Sequence, residues 1–175
     1  MFRRRQKENR EKDLYFKYAE KMYLLCLRYV HNADDAEEIM HNGFIKVFKN
    51  VGNFKEQFPG SFEKWMKKIM INESLMFLRK QDRNIFLSID NYVEHETEET
   101  ITSDVNAEYL IRLLQELPVG YRTVFNLFAI EGYDHREIAE MLEITESTSR
   151  TQLLKARKML QQKLKMKNPI YERSN

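Results

Sequence analysis

The stretch from Asp134 to Leu164 places hydroxylated and cationic side chains at helical spacing, a pattern that suits contact with DNA. Arginine matches the edge of guanine and glutamine that of adenine in the major groove, which favours Arg150 and Gln152 as base readers. Lysine suits phosphate oxygens, which fix register without reading sequence. We expect the early side chains to reach base edges and the later ones to reach phosphates. The candidates are Ser147, Thr148, Arg150, Thr151, Gln152, Lys155, Arg157 and Lys158.

Two helices joined by a very short turn must position these side chains. Asp134 is placed to cap the first helix, with Glu137 reaching back in a capping-box arrangement. Its predicted inward face comprises Ile138, Ala139 and Leu142. Glu143-Ile144 make the turn and Thr145 caps the second helix, which completes a helix-turn-helix pattern. For this segment alone, the alternative is a basic amphipathic helix packed in a bundle.

Charge is distributed unevenly along the 175 residues, although the formal net charge is only +2. Residues 3–12 and 150–167 are basic, whereas residues 82–104 are acidic, which indicates a polyanionic partner for the flanks. Cys26, the only cysteine, predicts neither a disulfide nor a thiolate metal site but a buried thiol in a reducing cytosol. We expect a cytoplasmic protein without membrane insertion, since neither a secretory signal nor an apolar run of membrane-spanning length is found.

The low counts of 5 Gly and 3 Pro favour helices nearly throughout. Apolar periodicity predicts helices at about residues 9–31, 34–50, 61–83, 106–116 and 119–130 before the helix-turn-helix, and either Asp34 or Asn32 starts the second of them. Ser61 is expected to cap the third helix. Its predicted stripe is Phe62, Trp65, Met66, Ile69 and Met76, and the inward residues of the fourth are Ala107, Leu110, Ile111 and Leu114. The predicted fold class is all-α: two small helical domains at 9–83 and 106–167, joined by a flexible acidic linker at 84–105.

Two ordered sets of residues, one in each predicted domain, carry a family resemblance. In the first domain they are Tyr29, Asp35-Ala36-Glu37-Glu38-Ile39, Phe44, Val47-Phe48, Phe54, Ser61-Phe62, Trp65 and Asn72 through Arg79. In the second they are Leu117-Pro118, Tyr121-Arg122, Val124-Phe125, Glu131-Gly132, Glu137-Ile138-Ala139, Leu142, Ile144, Thr148, Leu153 and Ala156-Arg157-Lys158. The chain resembles bacterial RNA polymerase sigma factors of the extracytoplasmic-function (ECF) group of the sigma-70 family.

This resemblance implies a role for each surface. The second helix of the region 2-like domain would dock on the clamp coiled coil of the largest subunit of RNA polymerase core, through Asp35, Glu37, Glu38, Asn42 and Lys46. The next loop and helix would read and melt the minus-ten promoter element, through Phe54, Phe58, Lys64, Lys67, Lys68, Asn72, Arg79 and Lys80. The linker would run toward the catalytic cleft of the polymerase. The region 4-like helix-turn-helix domain would read the minus-thirty-five element of promoter DNA.

The loop at residues 51–60 fits the melting role, because it is rich in turn residues yet carries two phenylalanines. Aromatic side chains offer stacking surfaces to an unpaired base, and a nearby amide such as Asn72 can hydrogen-bond its edge. We expect Phe54 and Phe58 to make such contacts, and we expect Phe62 and Trp65 to be mainly core residues.

Two residues depart from the family pattern in the helix-turn-helix. Glu143 stands where relatives usually have glycine, so a positive φ there is disfavoured. Ser149 stands at a usually apolar position, where a buried hydroxyl can bond back to the carbonyl four residues earlier. Both put the docking angle of the motif in question.

Other function classes explain less of the chain. A conventional helix-turn-helix regulator acting without polymerase core leaves the aromatic loop, the acidic helix face and the acidic linker unexplained. An enzyme would rest on Glu38 and His41, whose spacing is that of carboxylate-bridged metal bundles, but the further ligands of such a site are missing. We therefore expect no catalytic activity, no metal and no cofactor. The sequence leaves open whether an anti-sigma factor is a partner.

Overall fold

The computed structural model describes residues 2–87 and 107–167, and these form seven α-helices and no β-strand. The helices are α1 (Phe2–Leu27), α2 (Ala33–Asn50), α3 (Ser61–Gln81), α4 (Ala107–Gln115), α5 (Val119–Phe125), α6 (His135–Leu142) and α7 (Glu146–Lys167). The all-α prediction is confirmed. The chain divides into two compact units between Lys80 and Gln81. Residues 88–105 of the predicted linker lie outside the described residues.

The first unit packs α1 and α2 as a helical hairpin whose buried side chains meet those of α3. Its core comprises Met22, Leu25, Cys26, Tyr29, Ala36, Ile39, Met40, Phe44, Val47, Met66, Met70, Ile71, Leu75 and Leu78. Cys26 is buried as predicted, and burial raises the pKa of its thiol to about 12. A Cβ at Gly43 would collide with the sulfur of Met70, so glycine at this position lets α2 and α3 approach closely.

The predicted inward face of α3 is wrong in part. Met66 is buried, but Met76 is exposed and Phe62, Trp65 and Ile69 are only half-buried. The buried face runs instead through Met66, Met70, Ile71, Ser74, Leu75 and Leu78. These residues keep the three- and four-residue spacing of one helix face, whereas Met76 follows Ser74 by about 200° around the axis. The aromatic residues of the predicted stripe therefore lie beside the core.

Ser61 is the first residue of α3 and not its cap. Its hydroxyl accepts a hydrogen bond from the amide of Gln57 at 3.2 Å, which folds the preceding loop back on the helix. Gly60, with φ of 85°, provides the left-handed turn before the helix, a conformation that glycine adopts without strain. This turn holds the aromatic loop against α3.

The second unit packs α4, α5 and α6 against α7. Its buried core includes Ile111, Leu113, Leu114, Leu117, Tyr121, Val124, Leu127, Ile138, Leu142, Leu153 and Ala156. Leu110, which was predicted to face inward, is exposed. Arg122 is buried and donates from Nη1 to the carbonyl of Gln115 at 3.1 Å, tying the end of α4 to α5.

The helix predicted from Val119 to Ile130 ends in a π-helical turn. Residues Asn126–Ile130 form this turn, and the amide of Glu131 donates to the carbonyl of Asn126 at 3.0 Å. A π turn holds one residue more than an α turn and so rotates the side chains that follow. Phe128 consequently stacks on the His135 ring at the start of α6, with ring centroids 4.6 Å apart.

A short segment after α3 belongs to the second compact unit. We call residues 82–87 the strap. Two backbone hydrogen bonds shape it into turns. The amide of Ile85 donates to the carbonyl of Asp82 at 3.3 Å, and the amide of Leu87 donates to the carbonyl of Asn84 at 2.8 Å. Phe86 is only 2% exposed, and its carbonyl accepts a 2.7 Å hydrogen bond from the side-chain amide of Gln152 on α7.

Candidate nucleic-acid interface

The local hydrogen bonds of the helix-turn-helix are those that its sequence predicts. Asp134 Oδ1 accepts from the amide of Glu137 at 2.8 Å, and Glu137 Oε2 accepts from the amide of Asp134 at 2.9 Å. Thr145 caps α7 by accepting from the amide of Thr148 at 3.0 Å. Glu143 has φ of 58° and ψ of 41°, and it is the one non-glycine residue with positive φ in the part of the chain that the structure describes. The motif therefore forms with glutamate in the strained turn position.

We call α7 the recognition helix. It exposes most of the candidate DNA contacts. Arg150, Thr151, Arg157, Lys158 and Ser147 are exposed, and Thr148 and Lys155 are half-buried. The guanidinium of Arg150 pairs with Glu146 at 2.8 Å, and the Lys155 ammonium lies 5.8 Å from the centre of the Tyr121 ring. Both cations are held in place without leaving the surface.

Gln152 is the exception, and its assignment to adenine is wrong for this conformation. It is only 1% exposed and points toward α5, where a Cβ added to Gly120 would lie 3.0 Å from its amide nitrogen. Its amide donates to the strap instead of facing solvent. Successive residues of a helix are about 100° apart, so Gln152, four residues before Ala156, lies on the same buried face as Ala156 and Leu153.

Leu154 was missed as a candidate contact. It is 69% exposed and lies four residues from both Arg150 and Lys158, on the same face of the recognition helix. Apolar side chains in the major groove pack against the thymine methyl group. The sequence did contain a signal for this contact, because Leu154 has the helical spacing of the exposed cations Arg150 and Lys158.

Ser149 is buried and bonds to the neighbouring helix of the motif. Its hydroxyl lies 2.9 Å from Nδ1 of His135, the first residue of α6. The expected bond to the carbonyl four residues earlier is therefore replaced by a bond across the motif. Burial, followed by the charge of Arg150, lowers the pKa of His135 below its ordinary value.

The aromatic loop of the first unit borders an open cavity of about 740 Å³. The cavity is lined by Lys46, Asn50, Asn53, Phe54, Lys55, Gln57, Phe58, Ser61, Trp65 and Ile69. Phe58 is 47% exposed, and the Lys64 ammonium lies 5.2 Å from its ring centre. Phe54 packs with its ring centroid 5.2 Å from Phe62 and 5.0 Å from Trp65. An aromatic wall and several polar groups thus face the same space.

The other minus-ten candidates lie on α3. Lys64, Lys68, Asn72 and Lys80 are exposed, and Lys67 and Arg79 are half-buried. Asn72 is not among the residues that line the cavity, so the predicted edge contact from this amide has no geometric support. Asn50, Asn53 and Gln57 supply amides there, which sequence periodicity alone did not single out. Lys21 and Lys67 both pair with Glu63, at 2.6 and 3.6 Å, and the Lys21 bond lowers the pKa of Glu63.

The acidic face of α2 carries the core-binding candidates. Glu37, Glu38 and Asn42 are exposed. Asp35 is half-buried because it joins the helix cap, accepting from the Asn32 side-chain amide at 3.0 Å. Lys46, the fifth core-binding candidate, forms an ion pair with Glu73 of α3 and also lines the cavity. No cluster of metal-ligating side chains is found among the residues that the structure describes.

Comparison with known proteins matches both units to one family. Residues 14–84 match Sigma-70 region 2, and residues 107–160 match Sigma-70, region 4. The RNA polymerase sigma factor SigV of Bacillus subtilis is 30% identical over 142 residues, covering 79% of this chain and 81% of that protein. The RNA polymerase sigma-H factor of Pseudomonas aeruginosa is 26% identical, covering 86% and 84%.

A solved structure supports the fold. The sigma factor RpoE of Bartonella quintana, in complex with the anti-sigma factor NepR, matches with a TM-score of 0.55 and 18% identity. The match covers 90% of this chain and 98% of that one. Within residues 2–87 and 107–167, no helix is long and apolar enough to cross a membrane.

Proposed function

Because the chain belongs to the ECF group of sigma-70 RNA polymerase sigma factors, we propose that its two units divide promoter recognition between base capture and groove reading. As a sigma factor it directs RNA polymerase core to promoters. The first unit melts and holds the minus-ten element at the cavity, and the exposed face of the recognition helix reads the minus-thirty-five element.

The cavity beside the aromatic loop is the observation that carries this proposal. A base leaving the duplex loses its stacking, and an aromatic wall restores part of that energy in a sequence-tolerant way. Phe58 and Trp65 border the cavity, and the exposed cations of α3 suit the phosphates of the opened strand. A conventional helix-turn-helix regulator that only binds duplex DNA has no use for such a space.

Further partners follow as proposals. The polymerase core contacts Glu37, Glu38 and Asn42 on α2, with Asp35 holding the cap of that helix. We also propose an anti-sigma partner, since RpoE of Bartonella quintana shares the fold and is described in complex with NepR. The chain works in the cytoplasm beside the polymerase and has no catalysis or cofactor of its own.

Run-off transcription tests the proposed function. Purified core polymerase, the full chain and a library of upstream DNA fragments are incubated with nucleotides, and the transcripts are sequenced. Transcripts starting at defined positions only when the chain is added support it. Duplex binding without any core-dependent start would favour the conventional regulator.

Reversing two charges on α2 is expected to weaken core binding. The double variant Glu37→Lys, Glu38→Lys should raise the dissociation constant for core about tenfold, because α2 no longer matches the core surface in charge. Stability should change by less than about 0.5 kcal/mol, since both side chains are exposed. Fluorescence titration of core measures the constant, and Glu20→Lys, at an exposed position of α1, is the control. Equal affinity for both variants would remove the assignment.

Removing the Phe58 ring is expected to impair melting and to spare duplex binding. Phe58→Ala should cost about 1 kcal/mol of open-complex stability, the lower end for one stacked base. Permanganate reactivity of thymines near the start site measures opening. Phe16→Ala is the matched control, because this phenylalanine is exposed on α1 away from the cavity. If Phe58→Ala and Phe54→Ala both open promoters normally, the loop aromatics are purely structural.

A further inference from the structure

His135 sits where the two helices of the motif meet the π turn. Its Nδ1 lies 2.9 Å from the buried Ser149 hydroxyl of the recognition helix. Its ring stacks on Phe128 at 4.6 Å with an interplanar angle of 23°. The guanidinium of Arg157 lies 5.7 Å from the centre of that same Phe128 ring. One imidazole therefore contacts α7 through a hydrogen bond and the π turn through a stack.

The bond to Ser149 depends on the charge of the ring. A neutral imidazole can accept at Nδ1 from the serine hydroxyl, and it then carries its proton on Nε2. A protonated ring is a donor at both nitrogens, so Ser149 must turn its hydrogen elsewhere and accept instead. The carbonyl of Thr145, one turn earlier on the same helix, is the local alternative for that hydrogen.

The surrounding charges oppose protonation in the free protein. Arg150 and Arg157 face the ring from the recognition helix, and Glu146 of that helix and Asp134 at the cap of α6 partly offset them. Burial has the largest effect, and together these keep the pKa of His135 below its ordinary value. The unfolded chain then binds more protons, so this group makes the fold less stable as pH falls through about 6.5.

DNA changes this balance, because Arg150 and Arg157 belong to the face that is proposed to meet phosphates and bases. Negative phosphate charge near the two arginines favours the protonated, positively charged form of His135. We propose that His135 is a positioning residue of the recognition helix and that its protonation strengthens binding of the second unit to promoter DNA at acidic pH. This inference rests on the proposed function. Binding then takes up a proton, so affinity rises as pH falls.

The test compares DNA affinity across pH for the full chain. The probe is a fluorescent duplex recovered by the full chain from a random pool at about pH 7.5, and anisotropy gives the dissociation constant. Between about pH 7.5 and pH 5.5 the natural chain should bind about threefold to tenfold more tightly, since one unit of pKa change upon binding is a factor of ten. His135→Gln should lose most of this dependence.

His41→Gln is the matched control, because His41 also stacks on an aromatic ring and contacts a hydroxyl, that of Tyr15 at 3.3 Å, but lies in the first unit. It should keep the full pH dependence. Ser149→Thr retains a hydroxyl and should also keep the pH dependence, whereas Ser149→Val, which has the shape of that threonine without the hydroxyl, should shift it. The same pH slope in the natural chain and His135→Gln would overturn the inference.

A direct measurement protects the test against a variant that fails to fold. The pKa of His135 in the natural chain is followed by its ring proton resonance, with and without the duplex. A rise upon DNA binding supports the inference, and an unchanged value overturns it. Absence of DNA binding at every pH, both by the full chain alone and by the full chain with core polymerase, would instead contradict the proposed function of the second unit.

Discussion

Phe86→Ala is expected to lower the free energy of unfolding of the second unit by about 3 kcal/mol. Truncating a fully buried phenylalanine removes its transfer free energy and leaves a cavity, which together cost about 3–5 kcal/mol. The lower end applies because the strap can partly collapse onto the gap. Phe86 is 2% exposed although it lies more than sixty residues before its hydrogen-bond partner Gln152. We expect the loss to spread to α5 and α7, which surround Gln152.

The stability of each unit can be measured separately, and Trp65 provides the signal for the first. It is the only tryptophan and lies in α3, so its fluorescence during guanidinium unfolding reports the first unit. Hydrogen exchange of amides in α5 and α7 reports the second. Leu87→Ala is the matched control, because this neighbour is 53% exposed and should cost less than about 0.5 kcal/mol. If Phe86→Ala is as mild as Leu87→Ala, the strap contributes nothing to the second unit.

Local features of the fold could be predicted from the sequence because their partners lie within four residues. The capping box of Asp134 and Glu137 and the cap by Thr145 are fixed by side chains that reach their own helix turn. The positive φ of Glu143 is an exception, because it is disfavoured for a non-glycine residue and was not expected; the chain must reverse between α6 and α7 whatever residue stands there. Short-range chemistry decides these positions.

Features with distant partners could not be predicted in the same way. Gln152 was chosen for its amide chemistry, and nothing near it in the sequence shows that Phe86 will cover it. The π turn at 126–130 shifts the register of one helix end, which apolar periodicity cannot resolve. The cavity likewise depends on a loop folding back on α3 through Gln57 and Ser61. Tertiary packing selects among the local options here.

The recognition helix is expected to separate base reading from phosphate binding along its length. Arg150→Ala should relax the preference at particular minus-thirty-five positions by about 1–3 kcal/mol, the range for a bidentate contact with guanine. Lys158→Ala should weaken all sequences alike and reduce the magnitude of the log–log salt slope by about one. Arg150 lies in the second turn of α7 and Lys158 two turns further, on the same exposed face.

The ion pair of Arg150 with Glu146 sharpens this prediction. In the free protein Glu146 holds the guanidinium at 2.8 Å, so reading a guanine requires the arginine to leave or extend that pair. Glu146→Gln should therefore raise affinity for every sequence by removing a competing carboxylate while the base preference persists. The measurement is binding of the full chain to a promoter library at several salt concentrations. If Arg150→Ala weakens every sequence equally while Lys158→Ala alters base preference, the recognition helix enters the groove in another orientation, with its later turns against the bases.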